Sequence, residues 1–241
     1  MRLVNRLLGR RGDRAPYAIF GGIAADAYKT RSLRSRLMPV PIPEKLVLPL
    51  SQNLGVDAIA IVEAGDLVQK FQLLAEAGEP GSVALHAPTS GLVSSISNAT
   101  VADEFGSQRL CIHLQSDGED RAIETVPEAD YRALDHLQLL ERIERAGICG
   151  LGGAGFPSAQ KLSLGMKSGI DLLIINAVEC EPFISADEAL IRERGAGVVV
   201  GAEILKSACL ASNCIIVLQE DRADAIEALK KALENSSIEL M

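Results

Sequence analysis

Residues 150–162 read Gly-Leu-Gly-Gly-Ala-Gly-Phe-Pro-Ser-Ala-Gln-Lys-Leu, and the fold turns on what stands on either side of them. Gly150, Gly152 and Gly155 fit the G-x-G-x-x-G spacing of a phosphate-binding loop. That spacing carries meaning only where a strand runs in and a helix runs out. Upstream, residues 134–147 read LDHLQLLERIERAG. Asp135 with Gln138 three residues on marks a helix start, and Leu137, Leu140 and Ile143 keep helical spacing, with Leu139 and Ala146 broadening the stripe. Gly147 supplies a C-terminal stop. Only Ile148 and Cys149 separate that stop from Gly150, so a helix feeds the loop and a standard βαβ unit is disfavoured. Downstream, Pro157 stands at a first helical position and Ser158-Ala-Gln-Lys-Leu162 continues it. A helix N-terminus therefore remains available to an anion.

Beyond the loop the pattern is that of an α/β layer. Asp171–Val178 is a continuous apolar run of the kind found in buried parallel strands. Ser185-Ala-Asp-Glu188 reads as a capping box opening helices that reach about Ala211. Cys214–Leu218 is a second buried strand, and Asp221 caps a helix with Ala225, Ile226, Leu229 and Leu233 on one face. A further strand begins at Ile238 as the 241 residues end, which suggests a truncation.

Residues 46–115 are β-rich. The runs LVLPL, AIAIV, SVAL, LVSSI and LCIHL alternate with Gly, Pro, Asp and Ser. Gly65-Asp66 supplies one tight turn, and Pro88 with Gly91 another. These features resemble the barrel-sandwich hybrid fold of lipoyl and biotinyl carrier domains. A carrier needs a lysine at an exposed hairpin tip, yet there is none between Lys70 and Lys161, and the hairpin reads Ala-Glu-Ala-Gly-Glu-Pro-Gly. The module is thus read as a scaffold or docking module without a swinging arm, and His86 as a structural histidine bonded to the turn. The expected organisation is an extended lead-in at 1–45, the barrel-sandwich hybrid at 46–115, a polar linker at 116–133, and an incomplete α/β layer, Rossmann-like in character, at 134–241.

Composition narrows the classes. The chain is 48% hydrophobic with 3% aromatics and no Trp, so its core is aliphatic and wholesale disorder is excluded. A net charge of −8 argues against a nucleic-acid partner. No apolar run approaches a membrane span, and no cleavable signal is evident, giving a cytoplasmic default. Residues 1–14 place Leu3, Val4, Leu7 and Leu8 among five arginines, a short basic amphipath read first as a solvated terminus, with an acidic membrane surface or a partner as the alternative. The five cysteines form no C-x-x-C pair, so neither a zinc ribbon nor an iron–sulfur cluster is expected within this chain.

Three segments carry the chemistry. Consecutive glycines bare backbone N–H groups at a helix start, where a phosphate can sit, and the missing Cβ atoms let a flat ring approach. Phe156 can stack on such a ring, and Lys161 can meet the phosphate. After the first strand, Asn176-Ala-Val-Glu179-Cys-Glu181 offers carboxylates for ribose hydroxyls or a carboxamide at the carboxyl end of the sheet. After the second strand come Gln219-Glu220-Asp221 at the equivalent edge, so the three segments are expected to share one rim.

The conjunction of GLGGAGFPSAQKL with INAVECEPFISADE resembles the RnfC family, whose members belong to the Rnf ion-translocating electron-transport complex. It is also similar to the flavin- and NADH-binding subunit of respiratory complex I. The resemblance extends to Gly21-Gly22-Ile23 and the HAPTSG turn. It implies FMN beside an NAD(H) pocket, with Gly150, Gly152, Gly153, Ala154, Gly155, Phe156 and Lys161 matching the family's loop. Asn176, Glu179 and Glu181 match its acidic segment, and Glu220 a glutamate after the next strand. Ala24-Ala25 stand where Rnf members carry His-Pro, and Leu162-Ser163 where complex I members carry an aromatic.

The resemblance further implies transfer of electrons between NAD(H) and ferredoxin through FMN and two [4Fe–4S] clusters, whose ligands lie outside this chain. It implies partner subunits of a membrane complex at the cytoplasmic face of the bacterial inner membrane, and no general acid–base residue here. Two alternatives stand beside it: a cobalamin reductase subunit of a bacterial microcompartment, and a non-catalytic assembly module.

Overall fold

A computed structural model describes residues 26–53, 55–78, 81–125, 130–151 and 155–241. The basic amphipath at 1–14 and Gly21-Gly22-Ile23 lie outside the described residues. The chain forms two compact units, one within 39–170 and 204–211, the other within residues up to 38, 171–203 and 212–241.

The first unit is the β module. Strands β1 (Lys45–Pro49), β2 (Ile59–Ala60), β3 (Leu67–Val68), β4 (Leu73–Glu76), β5 (Leu85–His86), β6 (Gly91–Thr100) and β7 (Gln108–Ser116) include LVSSI and LCIHL whole and LVLPL nearly so, but only Ile59-Ala60 of AIAIV and Leu85 of SVAL. They make an antiparallel sheet of order β1-β7-β6-β3 and a second of order β2-β4-β5. Alternate residues of both sheets enter one core that includes Leu50, Val68, Leu74, Val93, Ile112 and Leu114. Side chains of period two can fill such a core only where the turns fix the register. Gly65, at φ 104°, makes one of them: its N–H donates to Val93 at 2.8 Å while Asp66 accepts from the Glu63 N–H at 2.8 Å. At Gly91 an added Cβ would stand 2.1 Å from the Gln115 carbonyl oxygen, so only glycine fits.

Lys70, the one lysine near the module's centre, spends its ammonium on Asp120 at 2.6 Å. The HAPTSG turn is tied down by Ser90, whose buried hydroxyl donates to Asp117 at 2.7 Å, and by Arg121 on the same carboxylate at 2.7 Å. The Ser90 hydroxyl, then the Glu119 N–H and Arg121, pull the Asp117 carboxyl down to about 2. A carboxyl depressed in the folded state contributes stability that is complete above the ordinary carboxylate value and lost as pH falls toward the folded one. Acid unfolding should therefore steepen between about pH 4 and pH 2. Asp117→Asn should flatten that limb in a pH series of urea midpoints, and an unchanged limb would reassign it to other carboxylates such as Asp120.

Helix α1 (His136–Arg145) carries the expected capping box, Asp135 accepting from the Gln138 N–H and Gln138 from the Asp135 N–H, both at 2.9 Å. It ends at Gly147, φ 65°, with the Gly147 N–H donating to Glu144 and the Ile148 N–H to Ile143. A helix does run into the glycine segment. The chain then turns back on itself: Gly150 donates to Phe156 and Ser158 to Ile148, each at 2.9 Å, around an antiparallel bridge between Cys149 and Pro157. Helix α2 (Ser158–Lys167) begins one residue later than expected, with Pro157 extended at its N-cap.

The second unit is the α/β layer. Strands β8 (Leu172–Asn176), β9 (Asn213–Val217) and β10 (Glu239–Leu240) are parallel in the order β10-β9-β8, with α3 (Ala186–Ala208) and α4 (Ala223–Ala232) between them in sequence. Ile191, Val199, Ala202, Cys214, Ile216, Ala225, Leu229 and Ile238 form its core. Three expectations change here. Strand β8 is an edge of this sheet and only half-buried, Ile174 being 56% exposed, whereas central β9 is buried through Cys214, Ile215 and Ile216. Helix α4 is capped at Arg222 rather than Asp221, with no side-chain bond to its amides. The Ser185 hydroxyl donates to Ser32 at 2.7 Å, and it is Glu179 that satisfies a first-turn amide of α3, that of Asp187 at 3.0 Å. A carboxylate serves a helix N-terminus better than a hydroxyl, because the dipole adds to the hydrogen bond.

Candidate functional site

The predicted site residues fall in both units. In the β unit stand Gly150, Gly155, Phe156 and Lys161; Gly152, Gly153 and Ala154 lie outside the described residues. Gly155 is left-handed at φ 56°, and an added Cβ would lie 3.0 Å from Asn53 Cα, so this end of the loop is seated against Gln52 and Asn53. Phe156 is half-buried and Lys161 exposed in the first turn of α2. Among the described residues that turn contains no acidic residue and no side-chain cap. Among the described residues the N–H groups of Ala159 and Gln160 meet no acceptor, as the first amides of a helix do unless something outside it binds them. Two free amides, a dipole end and a lysine make a donor set that fits a phosphate. His86 makes no ring hydrogen bond among the described residues, contrary to its expected role. It lines a cleft of about 220 Å³ with Asn53, Gly147 and Cys149, and burial lowers its pKa.

In the α/β unit, Asn176 and Glu220 follow the carboxyl ends of β8 and β9, which are neighbours in register from Leu172↔Asn213 to Asn176↔Val217. The structure thus brings the acidic segment and the 219–221 segment to one sheet edge. Asn176 turns the chain by accepting from the Val178 N–H at 3.1 Å. Glu181 and Glu220 are exposed. Glu179 is not: it is 7% exposed and faces Lys29, itself 3% exposed. The Lys29 ammonium lies 3.5 Å from Glu179 Oε2 and also donates to the Glu179 backbone carbonyl. Burial of this order is tolerated only because the two charges neutralise each other and the second carboxylate oxygen caps α3.

Sequence reasoning missed Lys29, Asp187, Glu188 and Arg222. The Arg222 guanidinium bonds Gln219 at 2.7 and 3.0 Å and lies 3.4 Å from Glu188. Partial desolvation first, then Glu179 and Glu181, pushes the Asp187 carboxyl up; burial likewise raises Glu188 against the pull of Arg222. The edge is electronegative, with Glu179 already engaged and Glu181 exposed without a hydrogen-bond partner among the described residues.

Residues 17–119 match the RnfC barrel sandwich hybrid domain and residues 143–241 the Nuo51 FMN-binding domain. The chain is 44% identical over 213 residues, 88% of its length, to the RnfC component of an ion-translocating oxidoreductase complex from Serratia proteamaculans, of which it covers 30%. The corresponding component from Yersinia pestis is 44% identical with 34% covered, and that from Erwinia tasmaniensis 41% identical with 27% covered. The chain is similar to these RnfC components over most of its own length and spans about a third of theirs.

Proposed function

We propose that this chain forms the front portion of an RnfC-type subunit of a membrane-associated, ion-translocating complex that moves electrons between NAD(H) and ferredoxin. FMN would be held by its phosphate on the amides of Ala159 and Gln160 with Lys161. The supporting observation is the acid-free, uncapped start of α2 immediately after the glycine loop, inside the segment similar to an FMN-binding domain. When bound, the flavin supplies the step between two-electron and one-electron transfer, which no side chain can.

The protein's part is electrostatic and positional. Helix α2 directs its dipole and Lys161 at the phosphate, and Gly155 keeps the loop close to its support. Phe156 offers a ring face to the flavin. In the α/β unit, Glu181 accepts from hydroxyls of the dinucleotide, and Glu179, fixed by Lys29, orders the segment that carries it. The [4Fe–4S] clusters are proposed to be ligated outside this chain, whose five cysteines form no C-x-x-C pair. Among the described residues no helix is long and apolar enough to cross a membrane, so attachment is proposed to run through partner subunits at the cytoplasmic face.

Charge-assisted bonds to phosphate carry about 1.5–3 kcal/mol, so Lys161→Met should weaken FMN about tenfold and Lys161→Glu about a hundredfold. Flavin fluorescence titration measures both. Equal affinity in Lys161→Glu and the parent chain would remove the helix start from the site.

A further inference from the structure

From Ala27 to Pro43 the sequence carries Lys29, Arg31, Arg34 and Arg36 and not one Asp or Glu. The chain as a whole is the opposite, with a net charge of −8. Lys29 is buried on Glu179, and the three arginines are exposed. Their side chains meet no partner among the described residues. Unpaired arginines on a loose run of chain are ordinarily just solvated. Here the backbone that bears them is fixed. The Arg192 guanidinium of α3 donates to the carbonyls of Leu33 at 2.9 Å and Ser35 at 3.2 Å, and Glu193 accepts from the Leu37 N–H at 3.0 Å. The Leu33 N–H donates in turn to the Lys29 carbonyl at 3.0 Å. The result is a bowl of about 500 Å³ lined by Leu33, Arg34, Ser35, Arg36, Arg192 and Glu193. Three guanidinium groups stand there against one carboxylate, which already lies 3.3 Å from Arg192. Leu37 and Met38 follow directly, 47% and 79% exposed. All of these residues belong to the α/β unit.

We propose that this bowl binds the phosphates of anionic phospholipid headgroups, with Leu37 and Met38 at the acyl boundary, so that the chain touches the bilayer itself. This rests on the reading of the chain as part of a membrane-associated complex, and it adds a contact of the chain's own to attachment through partner subunits. The charge has the right sign. The cytoplasmic leaflet is negative, and a guanidinium fork matches phosphate oxygens two at a time. The apolar pair has the right place. Aliphatic side chains beside a basic cluster settle at the headgroup boundary, where the charges stay wet and the hydrocarbon does not. A soluble phosphate would account for the arginines and leave Met38 in water.

Co-sedimentation of the 241-residue chain with vesicles of phosphatidylcholine, with and without phosphatidylglycerol, tests this. Binding is expected to the mixed vesicles and not to phosphatidylcholine alone, to weaken as salt rises, and to persist when inorganic phosphate is added at constant ionic strength. Arg34→Gln with Arg36→Gln should lower it about thirtyfold, and Met38→Gln about fivefold. Both variants should melt at the parental temperature, because the side chains they lose hold nothing in the fold. Lys230→Gln with Lys231→Gln removes the same charge from exposed positions of α4 and should bind as the parent does. An equal loss in that control would make net charge the cause and overturn the bowl. Unchanged binding in the double arginine variant would overturn it too, assigning the contact to the arginines of residues 1–14. So would binding that inorganic phosphate abolishes, which would mark a site for free phosphate. A parent chain that binds FMN and no vesicle overturns the bowl alone and leaves attachment to partner subunits. One that binds neither overturns the functional reading with it.

Discussion

Lys29→Ala is expected to lower the stability of the α/β unit by about 3–5 kcal/mol, because it strands Glu179 as an unpaired buried charge. The two side chains are 2% and 8% exposed, so solvent does little to screen the loss. The same substitution frees the Glu179 backbone carbonyl that the ammonium holds. With it goes the order of the segment carrying Glu181, so nucleotide binding should fall further than stability does. Urea denaturation followed by far-ultraviolet circular dichroism reads the first effect. The double variant Lys29→Met with Glu179→Gln separates the causes: removing both charges should recover most of the loss, since a neutral amide can still accept from the Asp187 N–H. If Lys29→Ala costs under about 1 kcal/mol, the pair behaves as a surface ion pair and the argument from burial fails.

What could be read from the sequence was local. Asp135 and Gln138 predicted a capping box and formed one, because both partners lie within a single turn. LVLPL, LVSSI and LCIHL became strands because alternation and turn glycines act over a few residues, while AIAIV and SVAL gave only short pieces of one. Where a distant partner decides, local reading failed. Ser185 matched a capping box in letters, but Ser32, 153 residues away, takes its hydroxyl, and Glu179 takes over an amide of the helix. Glu179 looked like a free ligand acceptor, and nothing near it in sequence announces Lys29, 150 residues away. Ile174 sits in a run as apolar as that of β9, and only the strand order reveals that one is an edge and the other central. The resemblance to a flavoprotein family depended on glycines and glutamates whose order along the chain was visible. The charges that hold those glutamates were not.

Gly147 shows how a local signal can carry a distant constraint as well. In sequence it is a helix stop, and at φ 65° it is one. An added Cβ would also stand 2.2 Å from the backbone oxygen of Ala84, beside β5 of the barrel module. Gly147→Val therefore meets two costs. A β-branched residue in the left-handed region costs about 1–3 kcal/mol, and relieving the clash with a fixed carbonyl costs about as much again. A loss on the order of 3–5 kcal/mol is expected in the β unit, together with weaker FMN binding, since the end of α1 leads within three residues to Gly150. Gly169 provides the control. It has nearly the same φ, 63°, but an added Cβ there meets nothing within 4 Å. Gly169→Val should show the conformational cost alone and leave FMN affinity at the parental value. Thermal unfolding and flavin titration of the two variants side by side give the difference that belongs to the Ala84 contact. If Gly147→Val is no more damaging than Gly169→Val, the approach of α1 to the barrel is loose, and it does not fix the position from which the glycine loop departs.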